Sequence, residues 1–242
     1  MSALKLLAIE TSSAIGSVAL AIDDQVAELS IATPREQTAR VLGLVDDLLV
    51  NADLRLADLD ALVFGCGPGS FTGLRVAAAV TQGLSLAAGC PIVAVSSLAA
   101  LAQRGFSEYA GESAVEWALC AVDARMGEVY SGHYRLADGL AVLEGSECLV
   151  APKSVVAPVE VHAPMSVAAP ILPYLALGDA FAAYAEALTA LTAGAVATRS
   201  ALAPRARDLL PQAACEVLAG RFLPLEAALP VYLRQADAWR QI

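Results

Sequence analysis

Histidine is almost missing from this 242-residue sequence: only His133 and His162 are present. Neither has a second ligand at helical metal spacing. There is no His-Glu-x-x-His, no Walker A motif and no His pair at i, i+4. A Ser-His-Asp or Cys-His catalytic set is therefore excluded, and no metal site is expected. Cysteine is sparse too, with Cys66, Cys90, Cys120, Cys148 and Cys215 odd in number, far apart and without a CxxC. That excludes a disulfide framework and a Cys-based zinc site, and fits a reducing cytosol. Positive charge is in deficit, with 15 Lys and Arg against 25 Asp and Glu and a net charge of −10. A chain that binds nucleic acid by itself needs a basic footprint, and so does one that lies on an anionic membrane; neither fits. Uninterrupted hydrophobic spans are also lacking. Residues 76–103 carry no charge, but Gly89-Cys90-Pro91 breaks them, and Gln82, Ser85, Ser96, Ser97 and Gln103 dot them. A buried helix, a turn and a buried strand fit better than a membrane span. No signal peptide is read, because Lys5 is soon followed by Glu10 and the apolar run between is short and β-like. The expected location is the cytoplasm.

What the chain has in abundance is alanine, 52 residues of it, which lifts the apolar fraction to 57%. Alanine packs easily in soluble helices, so the mean hydropathy of +0.61 overstates the apolar character. The length suits one large or two modest domains. Strands are expected at 4–9, 16–22 and 26–31, the last two forming a hairpin around Asp23-Asp24-Gln25. Thr33, Pro34 and Glu36 read as N-cap, N1 and N3 of a capping box that opens a helix over 36–50. A buried parallel strand follows at 61–65, then a Gly-rich turn, a helix over 74–88, a strand at 92–95 and a helix from Ser96 or Ser97. The second half restarts with strands at 117–123, 128–135 and 141–144. Glu10…Gly16-Ser17-Val18 matches Asp123…Gly127-Glu128-Val129 in pattern, so a degenerate repeat of one lobe is expected. Beyond Pro152 the prolines 158, 164, 170 and 173 punctuate a loop-rich stretch. Helices are expected at 179–191 and 204–219.

Four features could carry function, and each has a plain structural alternative. The turn Gly67-Pro68-Gly69-Ser70-Phe71-Thr72-Gly73-Leu74-Arg75 lies between a buried strand and a helix. Its amides could meet an anion, or its glycines could simply allow close packing. The helix after it is small-sided, with Ala77, Ala78, Ala79 and Gly83, and suits either a partner's helices or this chain's own core. Glu10 and Asp123 each end a strand. They could hold magnesium–phosphate across a cleft, or be solvated turn carboxylates. Arg125 could face a partner or ligand, or pair locally with Asp123.

The segments LLAIETSS at 6–13, GCGPGSFTGLR at 65–75, PIVAVSSLAALA at 91–102, AVDARMGEVY at 121–130 and PVYLRQADAW at 230–239 together resemble the TsaB (YeaZ) family. That family is a subunit of the bacterial complex that makes threonylcarbamoyladenosine in tRNA. The resemblance runs across 4–239, with 136–225 contributing little. It implies a two-lobed α/β fold of the actin/Hsp70/sugar-kinase (ASKHA) type, each lobe a mixed sheet with flanking helices. The expected lobes are 1–103 and 104–242, with the C-terminal helix packing back on the first. It further implies a non-catalytic role. In the paralogous catalytic subunit, TsaD, a His-x-x-x-His metal pair follows a strand like 91–95; here Ser97 and Leu101 take those positions, and leucine has no donor atom.

The resemblance also implies pairing through helices 36–50 and 74–88, as a homodimer when alone or with TsaD. The expected interface residues are Val41, Leu42, Val45, Leu49, Leu74, Ala78, Thr81, Gln82 and Ser85. Leu42→Glu or Ala78→Arg is then expected to abolish pairing in a folded monomer. Pairing would permit docking of TsaE, a P-loop ATPase, with tRNA reached only through the complex and no membrane contact. No cofactor is expected, and a nucleotide at the complex interface is left open. The family often has His before its first helix, where this chain has Arg35-Glu36-Gln37-Thr38. Two other readings compete: an ATP-dependent small-molecule kinase of the same fold, which would use Glu10 and Asp123, and a metallopeptidase.

Overall fold

The computed structural model describes residues 3–109, 115–158 and 171–234. His162, Pro164, Pro170 and the tail residues 235–239 lie outside the described residues. The chain forms two units, Met1–Ala100 with Pro204–Tyr232, and Leu101–Ala203 with Leu233–Ile242.

The first unit opens with an antiparallel meander, β1 (Lys5–Glu10), β2 (Gly16–Ile22) and β3 (Gln25–Ile31). Helix α1 (Pro34–Asn51) follows, then β4 (Ala61–Gly65), α2 (Phe71–Ala88), β5 (Ile92–Val95) and α3 (Ser97–Glu108), which leaves the unit after Ala100. The sheet order is β3-β2-β1-β4-β5, with β4 parallel to both β1 and β5. Parallel strands in mid-sheet are covered on both faces, and β4 is buried from end to end. Alternation along the strands assigns the two faces. Leu7, Ile9, Leu62 and Phe64 pack with Val41, Leu44, Val45 and Leu48 of α1 and with Ala77 and Ala78 of α2. Leu6, Ala8, Ala19, Ala21, Ala61 and Val63 face the other way. There they meet Leu209, Leu210 and Ala213 of a helix from far along the chain, Ala206–Leu218. Four of these six sheet residues are alanine, so that helix sits close on the sheet.

The second unit repeats the plan. β6 (Trp117–Arg125), β7 (Glu128–Ala137) and β8 (Leu140–Val150) form the meander, and β9 (Tyr174–Leu177) and β10 (Ala197–Arg199) add in parallel, in the order β10-β9-β6-β7-β8. Short helices α4 (Ala180–Ala183) and α5 (Thr189–Gly194) lie between β9 and β10. The helix Ala206–Leu218 that follows is α6. The core gathers Leu119, Ala121, Val129, Tyr174, Ala176, Phe181 and Leu188. The expected α/β architecture of two mixed five-stranded sheets with flanking helices is present.

Several expectations need correction. A division at residue 103 would leave 204–232 in the second lobe; the segment belongs to the first unit because α6 buries its apolar face on β1, β2 and β4. The Thr33 capping box is not formed: the Thr33 side chain makes no cap hydrogen bond, and the Glu36 carboxylate faces Arg40 at 3.5 Å. Helix α2 starts three residues earlier than expected, at Phe71, where the Ser70 side chain accepts from the Gly73 amide. The helix expected over 179–191 is two short ones. Tyr184 leaves the helical region (φ −124°, ψ 40°) where its hydroxyl donates to Asp123 Oδ1 at 2.7 Å. No described helix is long and apolar enough to cross a membrane.

Candidate functional site

The signature turn is bolted to the β1–β2 connection. The Ser70 amide donates to the Ser12 carbonyl at 2.7 Å, and Thr11 Oγ1 donates to the Gly73 carbonyl at 2.7 Å in a buried site. A Cβ at Gly69 would lie 2.7 Å from the Ser12 carbonyl oxygen, and one at Gly73 would overlap that of Thr11. The glycines thus serve close backbone packing, and the amides of Ser70 and Gly73 are engaged within the chain. Pro68 is buried and Thr72 is exposed. Leu74 is core, 1% exposed. The Arg75 guanidinium lies 3.7 Å over the Phe71 ring and donates through Nε to the Tyr232 hydroxyl at 3.1 Å.

Glu10 sits beneath this turn and is fully buried, so it is no solvated turn carboxylate. Its Oε1 accepts from the Ser12 amide at 2.5 Å and its Oε2 from Ser97 Oγ at 2.8 Å. Gly65 leaves the room, since a Cβ there would overlap Oε2. Burial pushes the Glu10 pKa up, against the lowering by its hydrogen bonds to Ser12, Ser97 and Thr11. A raised folded-state pKa means that the folded chain holds this proton more tightly than the unfolded one. The stability gained is complete below the unfolded pKa and is lost as pH rises through the folded one. Glu10→Gln removes this titration. Urea unfolding from pH 4 to pH 8 should therefore show the variant gaining on the wild type as pH rises; a constant difference would contradict the assignment.

In the second unit Asp123 is also engaged. Its Oδ1 accepts from the Arg125 amide at 2.8 Å and from Tyr184, and its Oδ2 pairs with Arg125 Nη1 at 2.9 Å. Its side chain is 9% exposed, while that of Arg125 is 84% exposed. The Asp123 amide donates to Asp179 Oδ1 at 2.8 Å.

The helix residues expected at an interface fall mostly on the wrong face. Val41, Val45, Leu49, Leu74, Ala78 and Thr81 are buried in the first unit. Gln82 donates to the Leu225 and Ala228 carbonyls and Ser85 to that of Cys90, so both are tied to their own chain. An arginine at Ala78 would therefore disrupt the core rather than a surface. Of the nine, Leu42 points outward, 53% exposed. The outward faces add Ala39, Gly43, Asp46, Asp47 and Val50 on α1, and Phe71, Arg75, Ala79, Gly83 and Leu86 on α2. Among the described residues, a Cβ at Gly43 or Gly83 would meet nothing within 4 Å. The 3.6-residue period carries the signal for this split: 41, 44, 45, 48 and 49 form one stripe of α1, while 42 and 50 stand off it.

A family model for TsaD, tRNA N6-adenosine threonylcarbamoyltransferase, matches residues 31–241. The Escherichia coli (strain K12) tRNA threonylcarbamoyladenosine biosynthesis protein TsaB is 35% identical over 241 residues, 99% of this chain and 98% of that protein. The chain belongs to the TsaB family. The Haemophilus influenzae TsaB is 43% identical over 130 residues, 54% of this chain and 53% of its own length. A Pseudomonas aeruginosa crystal structure, described as an uncharacterized protein with similarity to peptidase YEAZ, superposes with a TM-score of 0.83 at 39% identity, over 97% of this chain and 100% of that one. In this TsaB-family chain the two positions set against the TsaD histidines have other duties. Ser97 holds Glu10, and Leu101 is fully buried. Among the described residues no three His, Cys, Asp or Glu side chains converge as a metal site.

Proposed function

We propose that this TsaB-family chain is a non-catalytic scaffold subunit in cytoplasmic tRNA threonylcarbamoyladenosine synthesis. It pairs with a TsaD-type catalytic subunit through the outward faces of α1 and α2, and the pair receives a TsaE-type ATPase. Alone, it forms a homodimer through the same face, and it meets tRNA only within the complex. The observation that carries the reading is the open pair Gly43 and Gly83, in mid-helix beside exposed Leu42, Val50 and Leu86. Glycine in a helix interior costs about 0.5–1 kcal/mol relative to alanine, and here no contact among the described residues requires it. A second helix surface approaching closely gives these positions a use. The acidic balance suits a subunit whose partner supplies the basic surface. A kinase-like role would need the Glu10 carboxylate on magnesium–phosphate, and both its oxygens are already engaged.

Size-exclusion chromatography with light scattering, on the chain alone and mixed with a TsaD-type subunit, tests the proposal. A homodimer that gives way to a heterodimer is expected, with no ATP turnover by the chain alone. A monomer that ignores the partner, or magnesium-dependent ATP turnover lost in Asp123→Ala, would overturn it.

A further inference from the structure

Among the described residues five non-glycine positions have left-handed backbone: Asp23, Asp53, Asp138, Arg125 and Met126. Aspartate tolerates that region because its short side chain bonds locally. The β2–β3 and β7–β8 hairpins use it, at Asp23 and at Asp138-Gly139. The β6–β7 hairpin does not. Its two-residue loop, Met126-Gly127, has φ of 55° and 76°, and Arg125 before it has φ of 63°. Two-residue loops with positive φ at both positions favour Asn-Gly or Asp-Gly. Long side chains at two consecutive left-handed positions are costly and persist only where the surroundings hold them.

One side chain holds this turn at four points. Arg234 Nη2 pairs with Glu128 Oε2 at 2.6 Å and donates to the Ala124 carbonyl at 3.1 Å and the Arg125 carbonyl at 3.4 Å. Its Nη1 lies 3.0 Å from Met126 Sδ. The Arg234 side chain is 9% exposed, although it stands near the end of the described chain. The turn lies within the AVDARMGEVY segment, and no role for it follows from pairing through α1 and α2. We infer that Arg234 is a latch: it sets the β6–β7 turn in its left-handed form, holding Arg125 and Met126 outward on a fixed backbone, and its withdrawal lets the turn relax. The planar guanidinium reaches two carbonyls, a carboxylate and a thioether together, which the point charge of a lysine cannot.

The sequence has three methionines, so the Met126 methyl resonance is readily assigned in methyl-labelled full-length protein. Arg234→Ala is expected to shift that resonance and to speed amide exchange in 124–128 about tenfold, leaving exchange at the β7–β8 turn unchanged. Arg234→Lys should recover only part of the protection. In a Met126→Asn background, where the loop residue itself suits the backbone, Arg234→Ala should speed exchange less than threefold. An unshifted Met126 methyl with unchanged exchange would overturn the latch. So would faster exchange across the whole sheet, which would make Arg234 a general stabiliser, or an Arg234→Ala effect that is undiminished in the Met126→Asn background.

Discussion

Gly73→Ala should leave little folded protein. A Cβ at this position overlaps the Thr11 carbonyl oxygen, a backbone atom held in place by the β1–β2 connection. Relief would require α2 to move off β1, breaking the buried Thr11 Oγ1 bond to the Gly73 carbonyl and the Ser70–Ser12 backbone bond. Overpacking a rigid site costs about 1–3 kcal/mol, and losing a buried hydrogen bond adds about 1–3 more. The sum, on the order of 3–5 kcal/mol, is a large part of a domain's whole stability. Chemical denaturation measures it. Gly83→Ala is the control, because its Cβ would meet none of the described residues within 4 Å. It should stabilise the isolated monomer by about 0.5–1 kcal/mol. Equal effects at the two glycines would show that the close approach at Gly73 is not what the residue is for.

Leu42→Glu and Gly83→Arg should weaken pairing by at least about a hundredfold, roughly 3 kcal/mol, while each monomer stays folded. Both positions are exposed, so neither change touches the core. The glutamate adds charge beside Asp46 and Asp47, and the arginine fills the flat spot on α2. Light scattering across a dilution series gives the dissociation constant, and circular dichroism reports the fold. Unchanged pairing in both variants would remove the α1–α2 surface from consideration.

The strands and helices of the first unit are legible in the sequence because their signals are local. The apolar runs of β1, β2, β4 and β5 and the 3.6-residue stripe of α1 each reflect burial close to the residues that show it. β9 is not legible, since four residues just after Pro173 carry too little pattern among prolines. The outward faces of α1 and α2 are hard to read for a related reason. A regular apolar stripe marks the face that a helix turns inward, and α2 is so rich in alanine that its two faces look alike. Glu10 stands out by its place at a strand end, but its burial depends on Gly65 and on Ser97, 87 positions away. Nothing adjacent to Glu10 announces either. The role of Arg234 is likewise invisible locally, as it lies 108 positions from Met126.

The first unit is written in two pieces, and this sets an order of events on the ribosome. The strands β1, β2, β4 and β5 are complete before residue 100, and α1 and α2 are at hand to cover one face. The other face, with Leu6, Val63 and Val93, waits for α6, which ends at Leu218. At about 5–20 residues per second the interval lasts roughly 6–25 s. Throughout it a growing chain carries a half-covered sheet, and residues 101–203 of the second unit are made before the first can close.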